Sequence, residues 1–453
     1  MVVRAALILL VLTACGDDAP GRDDPTATNG SRLLAERWVG PDGAASFARW
    51  YDRELEMYCA FAMASDGRVR CLPTEARVGG FVDAGCTQPA VMAPSACTDV
   101  RFAISSGDVI RVDGPPLSSA YVKGGDFPCQ KSTDENRVFF APGAPVPPAS
   151  FVAADVTTTG TALVTTEYLG EDGSRQIVAL DGGPRQAVSS AVGLGCGIRL
   201  TGPRTAECTF ERSAGGAHTH YSDDACTMPV IEPQGFGSQI TIDYKARPCA
   251  PTPLYQLGEF LSVPNVFYRD ASGACVPLQI IGTMVFDIAP IANANIALSL
   301  EIDDTHDTRL RHTTWVTSAG ERWPGPLFDV ELDTPCVARA DDIGHARCVP
   351  ALNEGFRDAL DVSTSTTCTM RANLSASCWG QSVRPRTLPR SACGYGLVEL
   401  EEASGTLVSG PLYTGEFVGE CGPMDPTGLE LRDGPYAVVD AAAFAEMTLE
   451  RDR

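Results

Sequence analysis

The chain has 453 residues and a formal net charge of −22, with 57 acidic against 35 basic side chains. That balance argues against nucleic acid as a partner, which demands a basic footprint, and against electrostatic docking on anionic lipid. Forty-four glycines, 33 prolines and 17 cysteines suit a turn-rich, disulfide-bearing exported protein of two to four domains better than a helical cytosolic one.

The N-terminus, "MVVRAALILLVLTACGDD", sets Arg4 before an apolar run from Ala5 to Leu12, too short to cross a bilayer. Leu12-Thr13-Ala14-Cys15 resembles the bacterial lipobox. The resemblance implies that residues 1–14 are a signal peptide and that lipid is carried on the thiol of Cys15. Residues 15–31 are polar and acidic, hold proline and glycine, and read as a disordered tether. Gly16 after the lipidated cysteine favours the outer membrane of the cell envelope, on its periplasmic or outer face.

Beyond the tether the chain repeats itself. "CAFAMASDGRVRC" (Cys59–Cys71) has two relatives, "CGIRLTGPRTAEC" (Cys196–Cys208) and "CVARADDIGHARC" (Cys336–Cys348), whose first cysteines lie 137 and then 140 residues apart. "WVGPDG" at Trp38 is echoed by "YLGEDG" at Tyr168 and "WVTSAG" at Trp315, and "YDRELEMYC" by "FDVELDTPC". "FVDAGCTQPAV" returns as "YSDDACTMPVI" and "VSTSTTCTMRA". The mature chain is therefore expected to be three tandem repeats of about 140 residues, 32–160, 161–309 and 310–453.

Each repeat alternates apolar and polar residues in stretches such as "RVRCLP" and "GDVIRVDG", punctuated by Asp-Gly hairpin turns. The fold class is all-β. Eight to ten short strands per repeat suggest a β-propeller-like body with about two blades per repeat; tandem β-sandwich or barrel domains are the alternative. "DAAAFAEMTLERD" has helical propensity, but its counterparts "PASFVAADV" and "NANIALSLEI" read as strands, and a strand is expected there too.

With Cys15 set aside, sixteen cysteines remain, an even number that reads as a disulfide framework. The recurring loops give Cys59–Cys71, Cys196–Cys208 and Cys336–Cys348, as pairs facing each other across hairpins. Order along the chain adds Cys86–Cys97, Cys226–Cys249 and Cys368–Cys393, and parity adds Cys129–Cys275 and Cys378–Cys421. No C-x-x-C occurs, which disfavours zinc and redox readings.

Little else carries chemistry. His218 and His220 form an H-x-H half-site for a metal, but no third ligand is evident and the other repeats lack both. "EIDDTHDTR" gathers Glu301, Asp303, Asp304, His306 and Asp307 without the spacing of a calcium loop, and reads as a charged connector. Trp38, Trp50, Tyr51, Tyr168 and Trp315 suit core packing, or a sugar- or peptide-binding face. Asn29 and Asn373 lie in sequons expected to be unused. No nucleophile elbow, zincin motif, P-loop or dinucleotide fingerprint is present, so no catalytic residue and no cofactor is assigned.

The order "W-x-G-x-D-G … Y-D … D-G-x-x-R-C-L-P … C-T-Q-P" resembles a group of uncharacterised cysteine-rich repeat lipoproteins of Gram-negative bacteria. The resemblance implies a domain of unknown function and brings no catalytic residue. The expectation is a non-enzymatic binding or interaction module, held to the membrane through Cys15, with an envelope protein, glycan or small molecule as ligand. A secreted carboxylate-based hydrolase and a purely structural envelope protein are the alternatives.

Overall fold

The protein is described from a computed structural model. It covers residues 24–97, 99–123, 128–160, 163–178, 187–189, 194–202, 204–210, 220–231, 240–242, 254–263, 265–269, 274–278, 284–290, 296–305, 307–340, 346–351, 362–363, 374–378, 383–392, 395–408, 412–414, 422–424, 429–434 and 436–451. Among these residues there is no α-helix; the strands pair antiparallel except at Arg77 with Ile104 and Ala340 with Leu397, and short 3-10 turns lie at Pro148–Ser150 and Ala441–Ala443.

Repeat one begins with a four-stranded meander: β2 (Leu33–Val39), β3 (Ala45–Asp52), β4 (Met57–Met63) and β5 (Val69–Pro73), preceded by a two-residue strand β1 (Ala27–Thr28). The chain then leaves to build a separate seven-stranded lobe and returns as β6 (Ala153–Thr159). β6 pairs backward with β5 and forward with β7 (Leu163–Gly170), the first strand of repeat two.

Repeat two runs on through β8 (Arg175–Ile177), β9 (Ala187–Ser189), β10 (Leu194–Gly202) and β11 (Thr205–Phe210), makes its own seven-stranded lobe, and returns as β12 (Ala297–Ile302). In repeat three the first two strands are each interrupted: β13 (Leu310–Arg311) with β14 (Thr313–Thr317), then β15 (Arg322–Pro324) with β16 (Leu327–Asp329). β17 (Thr334–Ala340) and β18 (Ala346–Pro350) follow, and the return strand is β19 (Glu446–Arg451).

β19 pairs with β18 on one side and with β2 on the other, Trp38 opposite Leu449. The last strand thus joins the first repeat and closes the sheet into a ring. The expected propeller-like blades are not what these pairings form, because strands of neighbouring repeats are hydrogen-bonded to each other in one sheet. The lobes hang from the ring between its fourth and fifth strands. "DAAAFAEMTLERD" and "PASFVAADV" play one role, a 3-10 turn, a buried phenylalanine (Phe444, Phe151) and a return strand.

Residues 24–31, expected to be tether, belong to the folded body. Asp24 is buried, Ala27 is 4% exposed, and β1 pairs with β8 of repeat two. The local composition is that of a linker, but pairing to a ready-made strand edge orders it. Asn29, in its sequon, accepts a hydrogen bond from the Ala35 N–H at 2.8 Å.

Two of the recurring cysteine loops are closed as expected, Cys59–Cys71 and Cys336–Cys348, each with Cα atoms 5.2 Å apart. The partners are diagonal rather than directly opposed: Cys59 faces Pro73 while Phe61 faces Cys71, and Cys336 faces Pro350 while Ala338 faces Cys348. Repeat two has the same register, Cys196 opposite Phe210 and Ile198 opposite Cys208, although those cysteine side chains lie outside the described residues.

The lobe bridges correct the pairing by sequence order. Cys86 bonds Cys129 and Cys226 bonds Cys275, so Cys86–Cys97, Cys226–Cys249 and the inter-repeat Cys129–Cys275 do not form. Sheet order is the reason. The strand after Cys129 pairs with Tyr121–Val122, which lies beside the strand Arg77–Phe81 leading to Cys86. Cys97 is disulfide-bonded, with neither Cys86 nor Cys129. Cys249, Cys368, Cys393 and Cys421 and the side chain of Cys378 lie outside the described residues. Cys86 and Cys226 both take a left-handed backbone, φ 52° and 53°, a conformation that costs an L-residue about 1 kcal/mol. A nearby carboxylate holds each turn. Asp83 accepts from the Thr87 and Gln88 N–H groups, and Asp223 from those of Thr227 and Met228.

One ionic device recurs in repeats one and three. Arg32 donates from Nε and Nη2 to Asp52, the Nη2 bond at 2.7 Å, and Nη2 also reaches the Ser150 carbonyl at 2.8 Å. Arg309 grips Asp329 in the same way, and its Nη2 donates to the Ala443 carbonyl at 3.0 Å. Both aspartates are fully buried and also accept the backbone N–H groups of the following turn, Glu54 and Leu55 in one, Glu331 and Leu332 in the other. The clamp ties the start of the repeat, its second strand and the 3-10 turn before the return strand. Repeat two carries Ala162 and Ser189 where the others carry arginine and aspartate.

Replacing Asp52 by Asn strands a mostly buried guanidinium and is expected to cost about 3 to 5 kcal/mol. Glu54→Gln, at the exposed edge of the same cluster, is expected to cost less than about 0.5 kcal/mol. Urea titration of the two variants checks the contrast, and equal effects would remove the clamp's special status.

Candidate functional site

The first hairpin of each repeat ends in a glycine of positive φ: Gly43 (88°), Gly173 (89°) and Gly320 (84°). A Cβ would be strained in that backbone, so the turn tips are alike in all three repeats. The strand leaving each tip runs toward a common point. Ala45 to Ala48 of β3, Gln176 and Ile177 of β8 with Val178, and Pro324 to Leu327 across β15 and β16 line one cavity of about 330 Å³. These are equivalent strands, so the cavity lies where the three repeats converge. Trp38, His312, Thr313 and the β17 residues Cys336 to Ala340 add to the wall, and Asp24, Pro25 and Thr26 complete the lining.

Around the cavity the walls are fixed. Phe47 lies 5.1 Å from Trp50, Trp50 6.1 Å from Phe61, and Phe61 stacks on Tyr168 of repeat two at 5.2 Å. The Trp50 Nε1–H donates to Gln176 Oε1 at 2.8 Å across the repeat boundary. Since an indole N–H can only donate, this bond sets the orientation of the Gln176 amide and turns its NH₂ the other way. Thr313 donates its hydroxyl to the Pro326 carbonyl.

The segment Asp24 to Thr28 is held by few bonds. The Ile177 N–H donates to the Thr26 carbonyl at 2.7 Å, and Arg37 Nη2 to the Ala27 carbonyl at 2.7 Å. Asp24 Oδ1 accepts from the Thr26 N–H and hydroxyl, while Oδ2 lies 4.0 Å from Arg37 Nε, is shielded from solvent and accepts no hydrogen bond.

Contacts between repeats flank this site. Asp172, at the tip of the β7–β8 hairpin, accepts the backbone N–H groups of Arg32 and Leu33 of repeat one at 3.0 and 2.7 Å. Asp42 at the equivalent tip of repeat one accepts the Leu310 N–H of repeat three at 2.7 Å. The third tip carries Ala319 and has no carboxylate to offer. Burial alone would raise the Asp172 carboxyl, but hydrogen bonds from the Ser174 side chain and from the Leu33, Ser174 and Arg32 backbone outweigh it and hold the group below its ordinary range.

Of the residues singled out in the sequence, Trp38 reaches the cavity, whereas Trp50 and Trp315 are each 1% exposed and serve the core. Tyr51 belongs to the ring's closing seam under Arg451. His220 is buried in the lobe of repeat two, opposite Val230, and His218 lies outside the described residues. No three metal-ligating side chains gather among the described residues. The acidic connector is neutralised by arginine: Arg311 pairs with Asp304 and Asp307, and Arg322 with Glu301. Cys15 lies outside the described residues. Gln176, Phe47 and Asp24 carry no motif, and only the convergence of strands marks them.

These features define a disulfide-tied, all-β protein with a cavity lined by equivalent strands. The chain belongs to DUF7481, a family of unknown function, whose match spans residues 8–392. Comparison with curated proteins and with solved structures gave no match.

The depressed Asp172 carboxyl has a sign that can be measured. The unfolded chain binds protons first as pH falls, so the contribution of Asp172 is complete above the unfolded pKa of about 4 and is lost as pH drops through the lower folded value. Asp172→Asn is expected to lower stability at pH 7 by about 1 to 2 kcal/mol and to flatten its decline below pH 4. Urea midpoints from pH 7 to pH 3 check both effects.

Proposed function

We propose that the protein is a lipid-anchored envelope protein whose β body binds a small ligand in the axial cavity without transforming it. The cavity carries this reading. It falls within the size range of small-molecule sites, is formed jointly by all three repeats, and mixes flat apolar rings with a few fixed polar groups. Its walls are tied to the Cys336–Cys348 bridge and to the Trp50–Gln176 bond, so the site is preformed rather than assembled on binding.

With lipid on Cys15, residues 16–23 span at most about 30 Å before Asp24 joins the cavity lining. Gly16 after the lipidated cysteine supports the outer membrane as the place of the anchor.

Two measurements test this. Cys15→Ser expressed with its own leader is expected to lose palmitate labelling and to leave the membrane fraction; retention of both would remove the anchor. In a thermal-shift screen of small polar molecules on the full-length protein, a ligand at a hundred times its Kd adds about 2.7 kcal/mol of stability. Ser46→Trp, which fills the cavity, is expected to keep the fold and abolish the shift. Equal shifts in both proteins would place binding elsewhere.

A further inference from the structure

We infer that the axial cavity takes a neutral saccharide of one or two pyranose rings. The inference rests on the cavity's being a binding site, and deepens that reading by naming the ligand class. At about 330 Å³ the cavity stands at the small end of ligand sites, room for one or two sugar rings rather than a peptide or a lipid chain. Its flat surfaces are Trp38, Phe47 and the proline rings, against which the C–H faces of a pyranose lie. Beside Asp24, Arg339 and His312, its polar groups are neutral: the Ser46 hydroxyl and the Gln176 amide, whose NH₂ is oriented in advance by Trp50, while the Thr26 hydroxyl is already donated to Asp24.

The charged groups nearby are bonded within the protein or closed to solvent. The Asp24 carboxylate is occupied by Thr26 on one oxygen and turned toward Arg37 on the other, whose surface is closed to solvent. Arg339 in the wall is already engaged within the protein, and the His312 Nε2 is closed to solvent. A charged ligand would therefore be desolvated without a counter-charge, and an anion would also meet a chain of net charge −22. A purely apolar ligand would leave the Gln176 NH₂ and the Ser46 hydroxyl unpaired. A polyol with two hydrophobic faces satisfies both sets of groups.

Titration of the full-length protein in detergent with cellobiose and N,N′-diacetylchitobiose, followed by tryptophan fluorescence and calorimetry, tests the assignment. Glucuronic acid, glucosamine and indole serve as anionic, cationic and apolar probes. Saturable binding of at least one neutral disaccharide is expected, lost in Ser46→Trp and weakened at least tenfold in Gln176→Ala. Gln176→Glu keeps the acceptor for Trp50 but lacks the NH₂, and is expected to weaken binding equally should the alanine variant fail to fold. If only a charged or apolar probe binds and Ser46→Trp blocks it, the saccharide assignment is overturned while the cavity remains a site. If disaccharide binding survives Ser46→Trp, or no probe binds, the assignment is overturned as well, and in the last case the binding reading falls with it.

Discussion

A closed sheet has no edge, and here closure depends on one strand formed at the end of the chain. β19 must find β18 of its own repeat and β2 of the first repeat, more than 400 residues away in sequence. Side chains fasten that seam. Arg451 donates to Glu36 at 2.7 Å and lies 3.4 Å above the Tyr51 ring, while Arg49 donates to the other Glu36 oxygen and lies 3.4 Å above Tyr58. Glu36, nearly buried, accepts from both guanidinium groups, and each cation also covers an aromatic face. Until the seam forms, β2 and β18 are open edges that could pair with other chains.

The ring's size sets the second constraint. Barrels of about eight strands fill their interior with side chains, whereas those of sixteen or more leave a channel. Five strand positions from each repeat put this ring close to the wider class. Apolar side chains fill it where they are described. Trp50, Phe61, Phe151 and the Cys59–Cys71 bridge occupy the sector of repeat one, and Leu310, Leu327, Met447 and the Cys336–Cys348 bridge that of repeat three. Buried disulfides act as compact core pieces here, in addition to limiting the unfolded chain.

Much of this was legible in the sequence. The strand content, the hairpin tips and the Cys59–Cys71 and Cys336–Cys348 bridges follow from residues that recur at fixed spacing, because recurrence exposes local constraint. The lobe bridges were not legible. Cys86 is nearer in sequence to Cys97 than to Cys129, and only the order of strands in the lobe reverses that preference. The start of the folded body was misplaced for a related reason: "DDPTATNGS" is linker-like in composition, and nothing local announces the strand edge of repeat two that orders it. The Arg–Asp clamp was within reach. "SRLL" and "TRLR" stand at the same distance before "YD" and "FD". A pairing between Arg32 and Asp52, however, becomes visible only once the hairpin register brings the two ends of the meander together.

The axial cavity belongs to what recurrence conceals, and its asymmetry follows from the divergence of the repeats. Three identical repeats would present the same side chain three times around the axis, and a residue large enough to fill the centre would clash with its own copies. The equivalent strands instead bring Ser46 and Phe47 from one repeat, Gln176 and Ile177 from the second, and Pro324 to Pro326 from the third. Repeat two, without an arginine–aspartate clamp of its own, is held to repeat one by Asp172, by the Trp50–Gln176 bond and by the N-terminal strand. All three fasteners lie beside the cavity or form its wall. Repeat two is thus fixed to repeat one at the cavity wall, and the segment Asp24 to Thr28 serves as both fastener and lining.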